Sequence, residues 1–126
     1  MRILFVEDDA GFSRLAEALA RRAGHDCEIV ATVASAKSRL RQGPFDLVAL
    51  DLELPDGDRL EVCQEMLAGL GHDVPIVVIT GRSRPGLLQG CQELGFALIE
   101  KSAEFSATFR RLLTRLEEQL ASVSQG

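Results

Sequence analysis

The chain has 126 residues, 46% of them hydrophobic and 26% charged, which fits one globular domain with one hydrophobic core. Its net charge of −5 argues against a nucleic-acid-binding surface, and three scattered cysteines without a CxxC spacing favour neither disulfides nor a zinc site. No apolar run approaches the roughly 20 residues that cross a bilayer, and the amino-terminal segment turns acidic too early for a secretory signal. The sequence therefore predicts a soluble cytoplasmic protein that binds neither a membrane nor, by this chain alone, nucleic acid.

Apolar runs alternate with helical patterns along the chain, which predicts βα units and a parallel sheet. The predicted strands are residues 3–6, 27–31, 46–51, 74–80 and 96–99. The third and fourth runs are apolar throughout, as expected for strands covered by helices on both faces. Residues 1–121 form the predicted domain, and residues 122–126 a frayed tail or the start of a linker.

Helices are predicted after each strand, because apolar residues recur there at the spacing of one helix face. The first should end at Gly24, the second at Gly43, and the fourth should cover residues 85–94. The residues expected to face the core are Phe12, Leu15, Ala16 and Leu19 in the first helix, Ala36 and Leu40 in the second, Leu60, Cys63, Leu67 and Leu70 in the third, and Phe109, Leu112, Leu113, Leu116 and Leu120 in the last.

Four of the predicted strands lead into residues suited to phosphoryl chemistry. These residues are Glu7, Asp8 and Asp9 after the first strand, Asp51 at the end of the third, Thr80 at the end of the fourth, and Lys101 after the fifth. In a parallel α/β sheet the carboxyl ends of the strands lie on one edge, where ligands bind. We therefore expect acids, a hydroxyl and an amine to meet in one crevice.

A crevice that brings carboxylates together needs a cation. Two carboxylates about 5 Å apart repel each other by roughly 3 kcal/mol at an effective dielectric constant near 20. Glu7 or Asp8 beside Asp51 would favour Mg²⁺, a hard ion that binds carboxylate oxygens and often accompanies phosphate. Asp51 could then act as a nucleophile that forms an aspartyl phosphate, with Mg²⁺ and the Lys101 ammonium neutralising the transferring group.

These motifs, in this order, resemble a response-regulator receiver domain, and the resemblance covers essentially the whole chain. They are Ile-Leu-Phe-Val-Glu-Asp-Asp at 3–9, Phe-Asp-Leu-Val-Ala-Leu-Asp-Leu-Glu-Leu-Pro-Asp-Gly at 45–57, Pro-Ile-Val-Val-Ile-Thr-Gly at 75–81 and Glu-Lys at 100–101. The resemblance implies a doubly wound α/β fold: a five-stranded parallel sheet in the flavodoxin-like order 2-1-3-4-5 with five flanking helices.

The resemblance also implies roles for the residues at the strand ends. Asp51 would accept a phosphoryl group from a sensor histidine kinase or a histidine phosphotransfer protein, and Thr80 would switch a surface that an unknown downstream protein reads. Mg²⁺ would be held by Glu7, Asp8, Asp51 and the backbone carbonyl of Glu53, with Asp8 the more direct ligand of the first two. Asp9 would lie in the first turn of the first helix. Such a protein catalyses only its own phosphorylation and dephosphorylation, and its oligomeric state is left open.

The sequence departs from the family pattern at several positions. Ser102 replaces the proline that usually follows the lysine, so we expect a trans peptide after Lys101, because a non-proline cis bond costs roughly 3 kcal/mol. Leu98 replaces the switch aromatic, and Phe96, on the same strand face, could partly replace it. Arg59 stands where glycine is frequent. We also hypothesise that Arg82 pairs with Glu53 and restricts the hydrolytic water.

Other interpretations remain open from the sequence. The chain could be a degenerate receiver that acts as an unphosphorylated interaction module, or an aspartate-nucleophile phosphohydrolase, although such enzymes carry the nucleophile after their first strand. Taken singly, Asp8 or Asp9 could cap a helix, and Lys101 could be a solvated surface residue. His25 and His72 follow glycines and are expected to be exposed loop residues without a role.

Overall fold

The fold is a five-stranded sheet between two layers of helices. A computed structural model describes residues 1–56, 60–70, 73–82 and 84–125. The elements are β1 (Arg2–Val6), α1 (Ala10–Arg22), β2 (Asp26–Val30), α2 (Val33–Gln42), β3 (Leu47–Asp51), α3 (Glu61–Leu67), β4 (Ile76–Thr80), α4 (Leu87–Leu94), β5 (Ala97–Glu100) and α5 (Phe105–Gln125). The strand order is β2-β1-β3-β4-β5 and every pairing is parallel, which confirms the predicted topology.

Successive residues of each inner strand face opposite sides of the sheet and enter two separate cores. Ile3 and Phe5 of β1 pack with α1 and α5, whereas Leu4 and Val6 pack with α2, α3 and α4. β3 and β4 are buried at every position. The uninterrupted apolar runs in their sequences therefore reflect burial on both faces, as expected for central strands of a parallel sheet.

Four phenylalanines form a connected aromatic group in the core beneath α1 and α5. The Phe12 and Phe105 rings lie 4.7 Å apart between centroids, and Phe105 stacks on Phe109 at 5.4 Å. Phe5 contacts both Phe12 and Phe109. This group fixes the start of α5 against the start of α1, close to the carboxyl ends of the strands where Lys101 lies.

Some predicted helix faces are wrong in detail. In α1 the buried stripe runs through Ser13, Ala16, Leu19 and Ala20, so Leu15 projects into solvent. In α3 the buried residues are Val62, Cys63 and Met66, while Leu60, Leu67 and Leu70 are only half-buried. In α1 the prediction chose the larger apolar residues, whereas the buried stripe includes small and polar ones.

The last helix is longer than the sequence predicts. α5 continues to Gln125, through residues expected to form a tail, and among its described side chains Leu116 is the last hydrophobic one that packs against the core. Leu120, predicted to be buried, is exposed. No helix in the part of the chain that the structure describes is both long and apolar enough to span a membrane.

His25 is buried, contrary to prediction, and links three segments at the amino-terminal ends of the strands, opposite the carboxyl ends where the acids lie. The residue is only 8% exposed. Its Nδ1 lies 2.8 Å from the Met1 nitrogen, and its Nε2 is hydrogen-bonded to the Glu117 carboxylate. Gly24, at φ 86°, turns the chain after α1 so that the ring points inward. The amine can only donate, so Nδ1 accepts and Nε2 carries the proton given to Glu117. His72 lies outside the described residues.

Candidate functional site

Three carboxylates converge where β1 and β3 end side by side. Glu7 and Asp8 follow β1, Asp51 ends β3, and the two strands are paired up to Val6 opposite Leu50. Oxygens of the three carboxylates all lie within 4.8 Å of one another. Glu7 and Asp51 are each only 2% exposed, while Asp8 is open to solvent. The structure thus brings the predicted acids together, with one of them facing outward.

Lys101 reaches into this acidic group from the end of β5. Its Nζ donates to Glu7 Oε1 at 3.1 Å and to Asp51 Oδ2 at 3.3 Å. Its backbone N–H donates to the Thr80 carbonyl at 2.8 Å, which continues the β4–β5 pairing by one residue. The ammonium also lies 4.6 Å from the centre of the Phe12 ring, a favourable cation–π distance. The Lys101 side chain is therefore fixed in the site by these contacts and is not a solvated surface lysine.

The clustered negative charges of the site favour the binding of a cation. Burial, together with the neighbouring Asp51, raises the pKa of Glu7 from 4.5 to about 7, although Lys101 acts in the opposite direction. Burial lowers the pKa of Lys101, but its contacts with Glu7 and Asp51 outweigh that effect and leave the pKa raised. Among the described residues, Glu7 Oε2 is the buried side-chain oxygen without a hydrogen-bond partner.

The same group could hold a divalent metal ion. Three carboxylates face one ammonium, so their charge is balanced only when two further positive charges are present. The unpartnered Glu7 Oε2 and the exposed Asp8 carboxylate are hard oxygen donors of the kind that Mg²⁺ takes. Asp9, expected in the first turn of α1, is instead its N-cap: Asp9 Oδ1 accepts from the Phe12 N–H at 3.1 Å. Asp8 is therefore not needed as the helix cap.

Glu53 connects Asp51 to the loop after β4. The backbone N–H of Glu53 donates to Asp51 Oδ1 at 2.9 Å. Its carboxylate crosses to the neighbouring loop, where Oε1 accepts from the Gly81 N–H at 2.7 Å and lies 3.4 Å from Thr80 Oγ1. A Cβ atom on residue 81 would lie 3.1 Å from Glu53 Oε1, so a larger residue there would require the Glu53 carboxylate to shift by a small distance.

The Thr80 hydroxyl is engaged within its own loop. Thr80 is 1% exposed, and its Oγ1 donates to the Arg82 carbonyl at 2.8 Å and accepts from the Arg82 N–H at 3.1 Å. The hydroxyl has one hydrogen, and the shorter distance assigns it to the Arg82 carbonyl. Thr80, the predicted switch residue, therefore lies at the site, and its hydroxyl hydrogen points to the Arg82 carbonyl in the loop between β4 and α4.

Two expectations about tuning positions have definite outcomes. The hypothesised Arg82–Glu53 ion pair is wrong: no such pair occurs between these two described side chains, because the Glu53 carboxylate accepts from the Gly81 N–H instead and Arg82 projects into solvent. The described residues contain no cis peptide bond, so the bond from Lys101 to Ser102 is trans, as predicted. Arg59 lies outside the described residues.

Phe96 and Leu98 lie on one face of the sheet edge, as predicted, half-buried against the core beneath α4. Leu98 also lines a cavity of about 270 Å³ beside Thr80, together with Leu87 and Leu88. Sequence reasoning missed Phe12 as the ring under Lys101, because its helical spacing explained it as a core residue. It also missed the Gly81 N–H as a donor, which no side chain signals.

Comparison with known proteins agrees with this fold and site. The family model for the response regulator receiver domain matches residues 3–116. The chain belongs to this family. Receiver domains act in two-component systems, where they interact with histidine kinases and downstream effectors.

Individual relatives of this receiver chain are themselves regulators. It is 38% identical over 125 residues to the swarming motility regulation protein RssB of Serratia marcescens, covering 89% of this chain and 54% of that protein. It is 32% identical over 128 residues to the transcriptional regulatory protein BasR of Escherichia coli, covering 95% and 57%. The chain thus spans about half the length of these curated relatives.

Solved structures show the same architecture. The BeF3-activated N-terminal receiver domain of Klebsiella pneumoniae RstA superposes with a TM-score of 0.78 at 27% identity, covering 92% of this chain and 98% of that one. A CheY-like receiver domain protein from Methanospirillum hungatei superposes with a TM-score of 0.80 at 23% identity, covering 96% and 97%. At that lower identity the second likeness concerns the fold alone.

Proposed function

We propose that this receiver accepts a phosphoryl group on Asp51, with Mg²⁺ bound, from the phosphohistidine of a sensor kinase or phosphotransfer protein. The observation that carries the proposal is the convergence of Asp51 with Glu7, Asp8 and Lys101. In the transfer, an Asp51 carboxylate oxygen attacks phosphorus, the new O–P bond replaces the N–P bond, and the donor imidazole leaves. The chain catalyses only its own phosphorylation and dephosphorylation, in the cytoplasm where a kinase has ATP.

Each residue of the site has a distinct task in this reaction. Glu7 and Asp8 would hold Mg²⁺ together with Asp51 and the Glu53 carbonyl. The bound ion would stabilise the negative charge of the phosphoryl group during transfer. Lys101 supplies the second positive charge, from an ammonium already 3.3 Å from Asp51 Oδ2. The Glu53 N–H bond to Asp51 Oδ1 orients the nucleophile.

The Thr80 hydroxyl would transmit the new charge to the surface. A phosphoryl group on Asp51 offers strong acceptor oxygens, and the hydroxyl can rotate from the Arg82 carbonyl towards one of them. The loop at residues 81–82 would lose one internal hydrogen bond in the process. α4 follows that loop, so its position would shift and present a different surface to a downstream protein.

Intact-mass measurement tests this proposal. We expect the protein, incubated with Mg²⁺ and acetyl phosphate, to gain the mass of one phosphoryl group, and to gain none when Mg²⁺ is chelated. Asp51→Asn should gain none, whereas Asp73→Asn, which changes an exposed acid before β4, should behave like the wild type. No gain in the wild type would favour the unphosphorylated interaction module, and turnover of small phosphomonoesters would favour the phosphohydrolase.

A further inference from the structure

The Glu53 carboxylate holds an unusual place for an exposed acid. Glu53 could be solvated, yet its Oε1 accepts from the Gly81 N–H at 2.7 Å and lies 3.4 Å from the Thr80 hydroxyl. It thereby bridges the loop after β3 to the loop after β4. This contact places a negative charge on the donors at the carboxyl end of β4.

Those donors are the ones that a phosphoryl group on Asp51 would need. β3 and β4 are neighbours, with Asp51 opposite Ile79, so Thr80 and Gly81 immediately follow the residue beside the acceptor aspartate. A phosphorylated carboxylate brings about two negative charges and three acceptor oxygens to this point. Lys101 approaches from the β5 side, whereas the Thr80 hydroxyl and the Gly81 amide are donors on the β4 side.

We infer that Glu53 is an internal anion that occupies the Gly81 amide, beside the Thr80 hydroxyl, in the unphosphorylated protein, and that phosphorylation of Asp51 must expel it. The inference rests on the proposed function and describes how that site is regulated. Two effects prevent the Glu53 carboxylate and a phosphoryl group on Asp51 from binding at this place together. The Gly81 N–H has one hydrogen to donate, and two anions at the same donors repel each other. The Glu53 contact is therefore an autoinhibitory one that lowers the affinity of the site for a phosphoryl group.

Displacement of the Glu53 side chain also separates the resting and phosphorylated arrangements more sharply, because each one excludes the other. In the resting arrangement Glu53 holds the Gly81 amide, and Thr80 is hydrogen-bonded to Arg82. In the phosphorylated arrangement the phosphoryl oxygens take both donors and Glu53 turns outward. By reciprocity, any partner that draws the Glu53 carboxylate outward should favour phosphorylation by the same factor that phosphorylation favours that partner.

The test measures the apparent affinity for beryllofluoride, a tetrahedral phosphoryl mimic, at saturating Mg²⁺. Glu53→Ala should bind it about tenfold more tightly than the wild type, the effect of freeing donors from one charged acceptor. Glu53→Gln, which keeps an acceptor oxygen without the charge, should lie between the two. Glu61→Gln removes an equivalent exposed charge at the start of α3 and should match the wild type.

A second readout follows the contact itself. In the absence of beryllofluoride, the Gly81 amide resonance should move upfield in Glu53→Ala, because the 2.7 Å hydrogen bond is lost, and Glu61→Gln should leave it in place. Equal beryllofluoride affinity in the wild type and Glu53→Ala overturns the inference while the proposed function stands. An equal gain in Glu61→Gln also overturns it, since general charge would then explain the effect. A wild type that neither binds beryllofluoride nor takes up phosphoryl contradicts the proposed function as well.

Discussion

Replacing Glu7 with glutamine should stabilise the metal-free protein at alkaline pH, although the residue belongs to the site. Glu7 is almost completely buried, one of its oxygens lacks a partner, and its pKa is raised from 4.5 to about 7, chiefly by burial. Each pKa unit corresponds to 1.36 kcal/mol, so ionising Glu7 in the folded chain costs up to about 3 kcal/mol. The contact with Lys101 already lowers this pKa, so its loss is included in that figure. We therefore expect Glu7→Gln to gain about 3 kcal/mol.

The sign follows from proton linkage. Because the pKa of Glu7 is higher in the folded state, that state binds the proton more tightly than the unfolded chain does. The stability contributed by protonated Glu7 is complete below about pH 4.5, falls as the pH rises towards 7, and is lost above it. The advantage of Glu7→Gln should accordingly be largest at pH 8 and should shrink at pH 5.

Urea unfolding of the two proteins at pH 8 and pH 5, each with and without Mg²⁺, measures this effect. Mg²⁺ should stabilise the wild type at pH 8 and have little effect on Glu7→Gln, since a ligand that binds only the folded state adds to its stability. Glu61→Gln serves as the control for charge removal at an exposed position. The reasoning is refuted if Glu7→Gln is less stable than the wild type at pH 8 without Mg²⁺, or if its relative stability is the same at both pH values.

Further substitutions separate the roles of the remaining residues. Lys101→Gln should lower the rate of phosphoryl uptake roughly a hundredfold, the usual effect of losing a preorganised charge at a reacting group; an unchanged rate of mass gain with acetyl phosphate would contradict its role. Thr80→Val should still be phosphorylated, but the beryllofluoride-induced changes in the amide resonances of Leu87–Leu94 should vanish, and their persistence would remove the hydroxyl from the switch. His25→Ala should lower the unfolding free energy by about 1–3 kcal/mol through the unpaired groups it leaves, measured in urea. Its phosphoryl uptake should match the wild type, because His25 lies at the amino-terminal ends of the strands, away from Asp51. A loss of uptake in a variant that remains folded would contradict this separation.

The convergence of the site could be predicted because it depends on topology. Apolar runs define the strands, parallel pairing aligns their carboxyl ends, and Asp51, Thr80 and Lys101 follow directly from their positions at those ends. The trans peptide at Ser102 followed from the intrinsic preference of a non-proline bond. These features depend on chain geometry and little on how individual side chains turn.

What could not be predicted depends on side-chain directions and on distant contacts. Glu53 was expected to pair with Arg82, but a short bond to the Gly81 amide was available in the same loop, and a backbone donor leaves no trace in the sequence. The burial of His25 depends on Glu117, 92 residues away on α5, a contact that the sequence does not signal. Leu15 was misplaced because α1 meets the sheet through small residues.

The most direct test of the site is to locate the phosphorylated residue by chemical trapping. Borohydride reduces an acyl phosphate and converts an aspartyl phosphate to homoserine, which tandem mass spectrometry can place in the sequence. After incubation with acetyl phosphate and Mg²⁺, homoserine should appear at position 51 and be absent when the metal is chelated. Homoserine at another acid, or none at position 51 in a protein that has gained phosphoryl mass, would contradict the account.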